Sequence, residues 1–145
     1  MNANRKGFVD QLRRNAVALI SLVIAITSLG YNTWRNEQSE SNRNQREAGF
    51  EILMRVAELR ELIYLQTYDP NSVDDGASRS TWVIVLAIQD LASLLDEPIT
   101  KSANDLLETW DTHAKTIDRV SSKEAVDASI DALRDDTVAM IDALD

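Results

Sequence analysis

Between Ala16 and Gly30 the chain reads AVALISLVIAITSLG, a run without charge in which only Ser21, Thr27 and Ser28 are polar. The next change of pattern is abrupt. Residues 35–47, RNEQSESNRNQRE, are polar throughout and offer no apolar seam. Beyond them, apolar positions recur at alternating steps of four and three, the period of a helix with one buried face. Ile52, Val56, Leu59 and Ile63 make the first such row, in a helix expected from Ala48 to Tyr68. Asp69-Pro70-Asn71 should end it, since the residue before a proline is pushed out of the helical region.

Pro70 to Arg79, with Asp74-Asp75-Gly76, reads as the longest loop. A second helix follows Ser80 or Thr81, either of which suits a cap. It carries two adjacent rows, Val85, Ile88, Ala92, Leu95 and Ile84, Ala87, Leu91, Leu94, and is therefore expected to be the most buried. Asp96-Glu97-Pro98 separates it from a third helix, with Pro98 in its first turn. The third row is Ile99, Ala103, Leu106, Trp110, His113, Ile117 and Val120. Ser121-Ser122-Lys123-Glu124 has the form of a capping box and marks the start of the fourth helix. Its row is Val126, Ile130, Leu133, Thr137, Met140 and Leu144, widened by Val138 and Ile141. Thr137 is its one polar member, with a hydroxyl that can bond the Leu133 carbonyl one turn back. Four amphipathic helices with mostly short connections predict an all-α, up-down-up-down four-helix bundle.

Composition agrees with helices: the 145 residues include only 4 Gly and 2 Pro. Charge is unevenly spread. Residues 1–14 carry Arg5, Lys6, Arg13 and Arg14 against Asp10; residues 35–47 balance three Arg against three Glu. Residues 51–145 hold 20 acids and 8 bases. A domain that acidic repels nucleic acid, which is excluded as a partner. There is no cysteine, so disulfides, thiol chemistry and Cys-based metal sites are excluded.

The apolar run is short of the roughly 20 residues that a bilayer core needs. Its flanks complete it. Asn15 to Trp34 would span roughly 30 Å as a helix. Arg13 and Arg14 can reach back to one interface, and Tyr31 and Trp34 suit the other. The expected organisation is a basic tail (1–14), a transmembrane helix (15–34), a polar stalk (35–47) and an acidic helical domain (48–145). The stalk can continue the helix or be a flexible linker. The competing reading of the run is a cleaved leader, for which Ser28-Leu29-Gly30 is a passable site. The aromatic pair beyond that site favours retention. Four Lys or Arg precede the span and three (Arg35, Arg43, Arg46) follow it, which favours a cytoplasmic N-terminus and a periplasmic domain. Ala18, Ser21, Ala25 and Ser28 fall on one stripe, a candidate helix-packing face for a second copy or another membrane protein.

Little in the chain points to catalysis. The only histidine, His113, falls on the apolar row of its helix and reads as a hydrogen-bonded residue at the core edge. One His without Cys cannot build the usual zinc site. Asp127, Asp131 and Asp135 line one helix face, with Asp136 nearby, and read as a solvated surface rather than a cation site. Trp82 and Trp110 read as core packing. No Walker A, GxGxxG, GxSxG or Glu-x-x-His pattern occurs. The chain is expected not to be an enzyme and to need no cofactor.

Residues 21–53 resemble an uncharacterised family of small proteobacterial inner-membrane proteins. The resemblance is carried by the span, by Tyr-Asn-Thr-Trp-Arg-Asn-Glu (Tyr31 to Glu37), by the Asn/Arg-rich stalk, and by Arg46, Ala48, Phe50 and Glu51. It implies a bacterial membrane protein and carries no activity or ligand. The expected function is a membrane-anchored interaction or accessory protein, with the lipid bilayer as one partner. The alternative is a ligand-binding sensory domain that signals through a partner.

Overall fold

The computed structural model describes residues 3–68 and 77–144, and every regular element in them is helical. Four α-helices follow in order: α1 (Ala3–Tyr68), α2 (Ala77–Ala92), α3 (Ile99–His113) and α4 (Val120–Ala143). A 3-10 turn, Ala114–Thr116, follows α3 directly. The chain forms two compact units, Met1–Ser41 and Asn42–Asp145.

The helix expected to start at Ala48 has no start there. α1 runs unbroken through the polar stretch 35–47. The physical reason is local: those residues include no Gly or Pro, and Arg, Glu and Gln are good helix formers. Of the two readings of the stalk, the structure has the helix.

The second unit is a four-helix bundle. Ile52, Val56, Leu59 and Ile63 of α1 are all buried, as are Val85, Ile88 and Ala92 of α2. Ile99, Ala103, Leu106 and Trp110 of α3 join Val126, Ile130 and Leu133 of α4 in the same core. Side-chain contacts set the directions. Arg46 and Gly49 of α1 meet Leu144, Met140 and Ile141 at the end of α4, while Tyr68 meets Lys123 near its start. These two helices are antiparallel. Ser102 donates to Asp136, and His113 lies against Ser122, so α3 and α4 are antiparallel too. Trp82 against Trp110, with Thr100 donating to the Ala92 carbonyl, makes the same relation for α2 and α3. The up-down-up-down order is the one expected.

Two contacts tie α1 to the end of α4. A Cβ at Gly49 would come within 2.8 Å of Met140 Cε and 3.0 Å of Ile141 Cγ1, so the bare glycine permits this approach. Arg46 Nη2 donates to the Leu144 carbonyl at 2.9 Å. A cation there satisfies a carbonyl left over at a helix C-terminus and opposes the helix dipole.

Several helix ends differ from expectation. The expected loop from Pro70 to Gly76 lies outside the described residues, and Ala77 to Arg79 are already helical. Ser80 and Thr81 are therefore inside α2 and are not its caps; Thr81 is buried. At its other end α2 stops at Ala92. The chain tightens, with Leu94 N bonding Leu91 O at 3.1 Å and Leu95 N bonding Ala92 O at 3.0 Å. That twist leaves Leu95 buried but turns Leu94 out, 74% exposed. Pro98 stands at the N-cap of α3 rather than in its first turn. Its carbonyl accepts from the Ser102 N–H at 3.0 Å.

The third helix ends seven residues before Val120, and Val120 is exposed at the start of α4. The expected capping box does not form. The N-cap of α4 is Arg119, without a side-chain cap, and Ser121 is already helical.

Candidate membrane anchor and bundle sites

α1 is the one helix among the described residues long and apolar enough to cross a membrane. Its large side chains from Val17 to Leu29 are 49–74% exposed, and no part of the most apolar stretch is buried against protein. An apolar sleeve of this kind is costly in water, and contiguous exposed apolar surface marks an interaction or membrane site. Backbone groups are satisfied within the helix, which is what a hydrocarbon medium requires. Thr33 fits the same rule, donating its hydroxyl to the Leu29 carbonyl at 3.0 Å.

Arg13 and Arg14 lie exposed before the sleeve and Tyr31 and Trp34 after it. The two rings sit 6.1 Å apart between centroids and are tilted by 44°. Ala18, Ser21, Ala25 and Ser28 are exposed along the sleeve.

In the bundle, the polar groups are mostly spent on structure. The Thr137 hydroxyl is fully buried and donates to the Leu133 carbonyl at 2.7 Å, the back-bond expected from its position. His113 is half-buried at the core edge. Its Nδ1 lies 3.2 Å from the Ser122 hydroxyl, which also lies 2.8 Å from Thr116 Oγ1. Ser122 is buried, so one hydroxyl serves two partners across the α3–α4 turn. This is the physical reason that the capping box fails: α4 starts early enough to turn Ser122 inward. The Ser-Ser pair held no signal for this, because either serine could have faced the core.

Ser122→Ala should cost about 1–2 kcal/mol, since it strips a partner from groups that are partly shielded from water. Denaturant unfolding of the variant against the parent measures it. A change within about 0.3 kcal/mol would mean that water replaces the hydroxyl.

The aspartate row does not converge. Asp131 pairs with Arg60 of α1 and Asp135 with Arg134, while Asp136 accepts from Ser102. Trp110 is buried in the core and Trp82 packs against it edge-on, with centroids 6.5 Å apart. Trp110 Nε1 is buried without an acceptor among the described residues, a cost that burial of the ring has to offset.

Two more cations are held by neighbouring carboxylates. Hydrogen bonds to Glu51 and then Glu58 raise the Arg55 guanidinium above its ordinary range. Asp105, 2.6 Å away, raises Lys101 in the same way. Any stability linked to a raised cation is present below its ordinary value and lost only as pH rises past the raised one. Neither group therefore switches near neutrality.

Comparison with family models, with curated proteins and with solved structures finds no match to this chain.

Proposed function

We propose that this chain is a single-span protein of a bacterial inner membrane, with a cytoplasmic N-terminus, that carries an acidic helical bundle on the periplasmic side as a non-enzymatic interaction module. The observation that carries the reading is the exposed sleeve of α1 from Val17 to Leu29, which has no protein partner among the described residues. A bilayer is the solvent that such a sleeve fits. Support for the orientation comes from Arg5, Lys6, Arg13 and Arg14 before the sleeve, against Arg35, Arg43 and Arg46 after it. Support for the non-enzymatic part of the reading comes from the bundle. Its core faces are consumed internally and its histidine, threonines and several acids serve structural bonds.

The protein should resist extraction by carbonate and by high salt, because apolar contact rather than charge would hold it. Recovery of the full-length chain in the carbonate supernatant would refute the anchor. For orientation, a phosphatase fused after Asp145 should be active, and a fluorescent protein that folds only in the cytoplasm should be dark there. The opposite pair of signals reverses the topology.

A further inference from the structure

α1 carries a second row within the bundle unit. Phe50, Met54, Ala57, Glu61, Tyr64 and Tyr68 follow at steps of four, three, four, three and four. This is the spacing of a seam that receives another helix. The core-facing row, Ile52 to Ile63, is buried, while all six residues of this second row are exposed, Met54 by 67%. The Tyr64 and Tyr68 rings stand 4.8 Å apart, with Lys123 Nζ 4.6 Å from the centre of Tyr68. Aromatic and methionine side chains in a row are the composition of a protein-binding face rather than of a solvated one.

Charge decides what covers it. Glu51, Glu58 and Glu61 border an open groove along this face with Met54, Arg55 and Ala57. Arg55 is already held by Glu51 at 2.8 Å and Glu58 at 3.0 Å. Arg60, at the edge, is held by Asp131. Glu61 sits in the seam itself and has no salt-bridge partner among the described residues. A second copy paired in the same direction and register would bring Glu61 against Glu61; reversed, Lys123 beside Tyr68 would meet the Glu51 end, but Glu61 would still fall beside Glu58. A cationic neighbour would instead neutralise Glu61 as it is covered.

We infer that the exposed face of α1 from Phe50 to Tyr68 docks an amphipathic helix of a partner protein, apolar along one stripe and flanked by Lys or Arg. The inference rests on the reading of the chain as an interaction module and names the surface and the partner's chemistry. It does not depend on where the chain is anchored.

The test uses the full chain in a neutral detergent and two labelled synthetic helices of about three heptads. Both have Leu along the seam; one is flanked by Lys, the other by Glu. Fluorescence anisotropy should show the Lys probe binding at least about ten-fold more tightly at low ionic strength, with the advantage shrinking as salt rises. E58K/E61K should weaken the Lys probe by about ten-fold, and M54S/Y64S by a similar factor. E108K/D111K on α3 makes the same change in net charge and should leave binding within about two-fold. Equal losses from the α1 and α3 pairs would overturn the inference, reducing it to attraction by net charge. Absence of binding would overturn it outright. The chain lacks cysteine, so A57C introduces a unique thiol. Efficient copy-to-copy disulfides from A57C would overturn it in favour of a second copy as the occupant. Carbonate extraction reports on the anchor separately, so failure of one reading is distinguishable from failure of the other.

Discussion

Leu133→Asp should destabilise the bundle by several kcal/mol, on the order of 4, enough to consume much of the stability of a small domain. Leu133 is 0% exposed in α4, and its neighbours in the core are Val126, Ile130 and the apolar rows of the other helices. A carboxylate there loses its water and gains no cation. Protonation would remove the charge but still leave a polar group in an apolar seam and forfeit the leucine's packing. The measurement is urea unfolding of the fragment 42–145, followed by its helical ellipticity, with the shift in midpoint read at constant slope. Leu94→Asp is the matched control. Leu94 lies on one of the apolar rows of the sequence, yet the turn after α2 leaves it 74% exposed. Its substitution should cost no more than about 0.5 kcal/mol. Equal costs at the two positions would mean that the core is not drawn as described. A parent fragment that melts without cooperativity would mean that the bundle does not fold apart from the rest of the chain.

The second large effect is expected in the sleeve. Val23→Arg with Ile26→Arg places two guanidinium groups near its middle. Each costs about 2.5–3.5 kcal/mol at the centre of an inserting helix. Together they should shift insertion by several orders of magnitude, since each 1.4 kcal/mol is ten-fold. The parent should stay in the carbonate-washed membrane pellet and the double variant should leave it. Val83→Arg in α2 with Leu94→Arg in the turn after it adds the same charge to exposed positions and should leave the chain in the pellet. Release of both double variants would show that added charge, rather than loss of the sleeve, governs extraction.

Much of the bundle was legible from spacing alone. Ile52, Val56, Leu59 and Ile63 were placed on one row by the helical period, and all four are buried. The same holds for Val126, Ile130, Leu133 and Thr137, down to the back-bond of the Thr137 hydroxyl. These are local consequences: one period, one face, one core. The sleeve was equally legible, because fifteen uncharged residues need no partner to be recognised as apolar.

The helix ends were legible only in part, because they depend on what each end packs against. Ser121 and Glu124 have the spacing of a capping box, yet the fold starts α4 at Val120 and spends Ser122 on His113 and Thr116. The rows that run on to Leu94 and Val120 obey the helical period, but the chain must turn there to reach the next helix, and both side chains face outward. Which apolar positions stay uncovered was likewise a tertiary decision. Phe50, Met54, Tyr64 and Tyr68 share a helix with Ile52 and Ile63 and are also large and largely apolar; a four-helix core has room for one face of α1, and the isoleucine row takes it. Period and composition set which residues can be buried, a property each segment holds by itself. The packing of four helices against one another set which of them are, because that choice depends on neighbours distant in the chain.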